Sequence, residues 1–215
     1  MKHLHAYIHG FASSSQSRKG QELKRRFAQR DLRFECPELN RPSFATQTFT
    51  LNLAYLDRLD QQMQDLHGPF TWRLIGSSMG GYLSARWAEL RPDRVDRLLL
   101  LCPAFDFVAR WPALLGTAVM TRWEADRSFL FPGPTGKAER LHWEFMTDVH
   151  RHPAQPRPRC PMQIIHGTRD FVVPIQISRD YIASHPEIRL HEVDDDHPLE
   201  GSIDKVWSVA QDFLI

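Results

Sequence analysis

Trp72-Arg73-Leu74-Ile75-Gly76-Ser77-Ser78-Met79-Gly80-Gly81, running on into Tyr82-Leu83-Ser84-Ala85-Arg86-Trp87-Ala88, reads as an apolar strand, a tight turn and a helix. Gly76 to Gly80 fits G-x-S-x-G with Ser78 at its centre. A serine in that position is forced onto a strained strand-to-helix corner, and its hydroxyl projects above the sheet edge. The glycines are required because the backbone passes too close to itself for a Cβ. The N–H of Met79 then opens a helix, where negative charge is stabilised. The same five residues also fit a glycine-rich turn with a buried capping serine. The rest of the chain has to decide.

Working outward, strands and helices alternate. Leu4 to His9 is the first strand, followed by a serine-rich loop and a helix from about Arg18 to Arg30 with Leu23 and Phe27 on one face. A short strand over Leu32–Cys36 precedes a second helix, from about Thr50 to His67, which His67-Gly68-Pro69 stops. After the elbow strand and helix, Val95 to Cys102 carries Leu98-Leu99-Leu100-Leu101, the run of a strand buried on both faces. Such alternation implies a mostly parallel sheet flanked by helices. From about Ala104 to Pro158 the pattern shows no strand. It offers Trp111, Trp123, Phe129, Phe131, Trp143 and Phe145 among helical stretches, and Pro132-Gly133-Pro134 between them. This reads as a helical insertion, or cap, after the fourth strand, within a single domain spanning residues 1–215. Met162–His166 and Ile188–Val193 resume as the fifth and sixth strands, with a helix from Pro174 to about Ser184 between them and one over Ile203–Phe213 at the end.

Composition sets bounds. The chain has 215 residues, 42% hydrophobic and 25% charged, with 27 basic against 26 acidic side chains. A formal charge of +1 offers no field for nucleic acid. Cys36, Cys102 and Cys160 are three in number and far apart, so neither a disulfide framework nor a zinc site is indicated. Reduced thiols suit a cytoplasmic protein. The N-terminus enters a strand directly, without the apolar core of a signal peptide, and no run reaches the ~18 apolar residues of a membrane span.

In an open parallel sheet, ligands meet the carboxyl ends of the strands. Four chemically capable stretches fall there: His9-Gly10-Phe11, Ser78, Asp170 and His197. A serine hydroxyl needs a neighbouring base. An imidazole, with an ordinary pKa of ~6.5, can take a proton and return it. A buried carboxylate fixes the imidazole tautomer. The order Ser78, Asp170, His197 is the nucleophile, acid, base order of the α/β-hydrolases.

On these motifs the chain resembles an α/β-hydrolase, most of all the small bacterial YqiA-like esterases. The motifs are Tyr7-Ile8-His9-Gly10-Phe11 with the serine-rich loop and Lys19, Gly76-Ser77-Ser78-Met79-Gly80-Gly81, His166-Gly167-Thr168-Arg169-Asp170 with Val173-Pro174, and Asp196-His197. The resemblance implies Ser78 as nucleophile, Asp170 as acid and His197 as base, with the N–H groups of Met79 and Phe11 as an oxyanion hole. The long tryptophan-rich insertion departs from the smallest members.

Competing assignments exist within the chain. Ser77 carries a hydroxyl but lies off the apex. Asp106 lies just past the fourth strand, where some hydrolases place the acid. Asp194-Asp195-Asp196 reads as a solvated acidic loop, since consecutive carboxylates cannot all converge on one cation. His9 and His166 read as structural, and Arg18 and Lys19 as solvating a helix start.

The expected activity is cofactor- and metal-free cleavage of a carboxylic ester or thioester through an acyl-enzyme. The partner is a small acyl substrate, with Trp111, Trp123 and Trp143 contributing to its apolar pocket. Peptidases, C–C hydrolases, haloperoxidases and lyases share the scaffold, and a non-catalytic binding module remains the alternative outside enzymes.

Overall fold

In the computed structural model, which describes residues 2–215, the chain runs β1 (His3–Ile8), α1 (Arg18–Ala28), β2 (Phe34–Glu35), α2 (Phe49–His67), β3 (Thr71–Ser77), α3 (Met79–Leu90) and β4 (Val95–Leu101). An insertion follows: α4 (Phe107–Leu115), α5 (Thr117–Ala125), β5 (Ser128–Pro132), β6 (Ala138–His142) and α6 (Glu144–Val149). The chain closes with β7 (Met162–Gly167), α7 (Gln176–Ala183), β8 (Arg189–Val193) and α8 (Ile203–Leu214).

Six strands form one sheet in the order β2-β1-β3-β4-β7-β8, and every pairing is parallel. The four-leucine run shows why β4 sits centrally. Leu98 and Leu100 face one apolar layer and Leu99 and Leu101 the other, all fully buried. Period-two side-chain alternation requires both faces of such a strand to be covered. Leu23 and Phe27 of α1 and Val206, Val209, Ala210 and Leu214 of α8 cover one face. Leu53, Leu56 and Met63 of α2, Leu83 and Trp87 of α3, and the insertion cover the other. The chain reverses direction across the sheet between β1 and β3, and the crevice beyond their carboxyl ends is where such sheets bind ligands.

The insertion differs from the helical expectation. Residues 128–142 form an antiparallel hairpin, with Phe129 opposite Leu141 and Phe131 opposite Glu139. Pro132-Gly133-Pro134 opens its turn instead of separating two helices. The Gly133 N–H donates to Lys137 O, and Gly136 adopts φ 78°. The hairpin holds because its alternate residues Phe131 and Leu141 are buried, and Trp123 donates its indole N–H to Leu141 O. The spacing Phe129, Phe131 carried that signal, but the proline and glycine beside it read as a break.

Candidate active site

Ser78 sits at the corner between β3 and α3 with φ 54° and ψ −120°, a strained conformation for a residue with a Cβ. The surroundings hold it there. Its N–H donates to Leu101 O, and its carbonyl accepts from the N–H groups of Gly81, Tyr82 and Ala104. Gly80 is obligatory, because a Cβ there would overlap the carbonyl oxygens of Ile8 and His9. That close approach brings the loop after β1 against the elbow. Neither the Met79 N–H nor the Phe11 N–H donates to a protein acceptor among the described residues, leaving two free donors in the segments flanking Ser78.

Asp170 follows β7 and its side chain is fully buried. Oδ1 accepts from the N–H groups of Val172 and Val173, and Oδ2 accepts from His197 Nδ1 at 2.6 Å. Burial works to raise its pKa. Hydrogen bonds from His166, His197 and the Val173 N–H outweigh burial and hold the carboxyl well below the usual range. A carboxylate only accepts, so His197 Nδ1 carries the proton and Nε2 carries the free lone pair. The loop bearing His197 is stitched to the loop bearing Asp170. Thr168 N–H donates to Val193 O, Arg169 N–H to Asp195 O, and the Arg169 side chain to Asp194 O. Asp195 itself turns inward and is buried, contrary to the solvated reading of Asp194–Asp196.

Ser78 and His197 line one cavity of about 240 Å³, together with Gly10, Phe11, Ser77, Lys19 and Pro198. No hydrogen bond joins the two side chains among the described residues. The hydroxyl can rotate about χ1, and such contacts commonly close only when substrate binds. On its other side Ser78 opens into a cavity of about 320 Å³ walled by Phe11, Phe105, Phe107, Trp111, Phe131, Val173 and other apolar groups. Phe11 and Ser78 are common to both cavities. A larger groove of about 510 Å³ beside α1 contains neither Ser78 nor His197.

The remaining expected residues fall as follows. Trp111 is on the wall of the apolar cavity, whereas Trp123 is fully buried behind it and Trp143 packs edge-on against Trp123. Asp106 precedes α4 in the left-handed region without a side-chain capping bond, and it accepts from Gln155, whereas His197 pairs with Asp170. Ser77 accepts from Lys19 Nζ at 3.2 Å. Lys19 therefore points inward, and burial lowers its pKa. His9 shapes its loop, accepting the Leu39 N–H at Nε2 while Nδ1 lies 2.9 Å from Gly10 O. His166 places Nε2 2.8 Å from Val173 O and 3.4 Å from Asp170 Oδ2, and Nδ1 2.7 Å from Ser178 Oγ. Cys102, His166 and Asp170 bring one donor atom each within 4.8 Å of one another. Both imidazole nitrogens and both carboxylate oxygens in that group already have protein partners, and burial pushes the Cys102 thiol pKa up. The set does not fit a cation.

Comparisons with known proteins agree on the architecture. A family model described as uncharacterised protein family (UPF0227) matches residues 4–214. Palmitoyl-protein thioesterase ABHD10, mitochondrial, from Bos taurus is 25% identical over 143 residues, covering 61% of this chain and 45% of that protein. The Mus musculus protein of the same name is 28% identical over 110 residues, covering 49% and 37%. The matches cover 35–50% of the length of the curated relatives of this name. Among solved structures, alpha/beta hydrolase domain-containing protein 10 from mouse superposes with a TM-score of 0.76 at 20% identity, covering 98% of this chain and 88% of that one. Est1E from Butyrivibrio proteoclasticus gives a TM-score of 0.79 at 17% identity, covering 99% and 87%. The fold is that of the α/β-hydrolases. No described helix is long and apolar enough to cross a membrane.

Proposed function

The chain belongs to the uncharacterised protein family UPF0227, and from that premise we propose that it is a serine hydrolase acting on carboxylic esters or thioesters. One observation carries the reading. Ser78 stands on a strained elbow in the same cavity as an imidazole whose far nitrogen is bound to a buried carboxylate at 2.6 Å. The names of the curated relatives, palmitoyl-protein thioesterases, support an acyl substrate.

In this reading Ser78 Oγ attacks the acyl carbon while His197 Nε2 takes its proton, and Asp170 stabilises the imidazolium. The free N–H groups of Met79 and Phe11 hold the developing oxyanion, each worth about 3–4 kcal/mol in the transition state. His197 returns its proton to the departing alcohol or thiol. It then activates water, which releases the acid from the acyl-enzyme. The apolar cavity takes the acyl group, and the cavity holding His197 and Lys19 takes the leaving group. Residues 1–215 act as one domain, with residues 104–158 as a cap over the acyl cavity. The free cysteines fit a reducing compartment such as the cytoplasm.

The test is labelling by a fluorophosphonate together with turnover of p-nitrophenyl butyrate. Wild-type protein is expected to react at Ser78, and Ser78→Ala to lose both label and turnover while keeping its thermal transition. Undiminished turnover by Ser78→Ala overturns the assignment.

A further inference from the structure

The apolar cavity beside Ser78 contains one charged side chain. Arg110 lines it with Phe11, Phe107, Trp111, Phe131 and Leu114. Its position on α4 is instructive. Phe107, Arg110, Trp111 and Leu114 stand at i, i+3, i+4 and i+7, the spacing of one helix face, and all four line the cavity. Ala109, Pro112 and Ala113 occupy the exposed face. An arginine therefore stands in the inward stripe, where an apolar residue would complete the packing.

Arg110 is half-buried, and the Nε of its guanidinium is unsatisfied. Arg110 makes no ion pair or hydrogen bond to any described residue, and its Nε is sealed from solvent without a partner. A long cationic side chain that merely packs its stem carries its head out to water. Here the first donor of the head is left buried and bare. Removing a charged donor from water without an acceptor is costly, and such a group calls for a partner.

We propose that Arg110 is a carboxylate receptor in the acyl cavity, so that the preferred substrate is an ester or thioester of a dicarboxylic acid. This rests on the hydrolase reading and on the apolar cavity taking the acyl half. The planar guanidinium fork matches a carboxylate through paired N–H···O bonds. One cation in an otherwise apolar wall balances one negative charge, which suits a carboxylate better than a doubly charged phosphate. Hydrolysis adds water across the acyl bond at Ser78 and releases the dicarboxylate with the alcohol or thiol.

The test compares mono-p-nitrophenyl adipate with p-nitrophenyl hexanoate, corrected for spontaneous hydrolysis. The readout is the ratio of their kcat/KM values. The wild-type ratio is expected above ten, falling as salt is raised. Arg110→Met is expected to lower the ratio about 10- to 100-fold, and Arg110→Lys to lower it less, keeping the charge without the fork. Adipate itself should raise the wild-type melting temperature more than hexanoate does, and this difference should vanish in Arg110→Met. If that variant does not fold, Arg110→Gln and Arg110→Lys carry the comparison. A wild-type ratio near one, with no selective stabilisation by adipate, overturns the receptor while leaving the hydrolase reading intact. An unlabelled Ser78 with selective stabilisation by adipate supports the receptor and overturns the hydrolase.

Discussion

Replacing Asp170 by Asn tests the arrangement at its most constrained point. The carboxylate is held by backbone and imidazole donors: Val172 and Val173 N–H groups on Oδ1, and His197 Nδ1 on Oδ2, with His166 Nε2 3.4 Å from Oδ2. An Asn must point its carbonyl at the two backbone N–H groups, since its NH₂ would oppose them. That leaves the NH₂ facing His197 Nδ1, which must then accept. The imidazole proton moves to Nε2, and no lone pair remains for Ser78. Restoring the reactive tautomer requires flipping the amide against two backbone donors, at about 2–3 kcal/mol. Losing the charge-assisted bond to the imidazolium costs roughly 1.5–3 kcal/mol more. The sum, about 3.5–6 kcal/mol, corresponds to a loss of kcat/KM of roughly 4 × 10²- to 3 × 10⁴-fold on p-nitrophenyl butyrate. Asp106→Asn is the control, and is expected to stay within about threefold. Asn tolerates the left-handed backbone at that position and can still accept from Gln155. Asp170→Asn protein with a cooperative thermal transition and activity within tenfold of wild type would refute the reasoning. So would a large loss in Asp106→Asn alone.

Two further outcomes follow from the same geometry. A Cβ at Gly10 would sit 3.2 Å from Ser78 Cβ and 3.3 Å from Ser77 O, so the elbow must give by a few tenths of an ångström. Gly10→Ala should fold and lose about tenfold or more in fluorophosphonate labelling rate, whereas Gly80→Ala should fail to accumulate as folded protein. Equal behaviour of the two variants would contradict the close approach. On pH, Asp170 has a carboxyl pKa held below that of the unfolded chain, about 4. Its contribution to stability is therefore present above pH 4 and lost as pH falls through the lower folded value. The urea midpoints of wild type and Asp170→Asn should differ most at pH 7, and the gap should begin to narrow only below about pH 4. A gap that widens on acidification would reverse the sign.

The layered sheet was legible because its strands are short apolar runs punctuated by Gly and Pro, and the placement of Ser78, Asp170 and His197 was legible because each follows such a run. What escaped depends on contacts that no local pattern encodes. Lys19 reads as a helix-start cation, yet α1 packs so closely on β1 that a Cβ at Gly20 would meet the Tyr7 ring at 2.7 Å. That approach turns the first turn of α1 inward and brings the half-buried Lys19 amine to Ser77 Oγ. Arg110 had a local signal, an arginine on the apolar stripe Phe107, Trp111, Leu114, but which face of α4 meets the cavity is decided by the sheet beneath it. Trp123 and Trp143 read as pocket aromatics from composition. The hairpin draws the Trp123 indole to Leu141 O and packs Trp143 behind it.

The insertion is joined to the elbow too closely to act as a freely swinging lid. Its first residue, Ala104, donates its N–H to the carbonyl of Ser78 itself. Its return segment accepts from two core hydroxyls, Tyr82 to Pro153 O and Tyr181 to Pro156 O. Between these roots, Asp148 of α6 binds the N–H and hydroxyl of Thr50 at the start of α2, and His142 N–H donates to Ala45 O. Trp111, Trp123, Phe131, Leu141 and Phe145 belong to the same apolar layer as Leu98 and Leu100 of the sheet. Lifting the insertion would expose that layer at about 25 cal/mol per Å², a cost that grows with every aromatic uncovered. Ser78 holds a backbone conformation costing of order 1–3 kcal/mol, and it does so because the surrounding structure over-determines it. A cap anchored to the Ser78 carbonyl is part of that over-determination. The exposed Leu114 and Val172 stand at the rim of the apolar cavity, so its mouth faces solvent with the insertion in place.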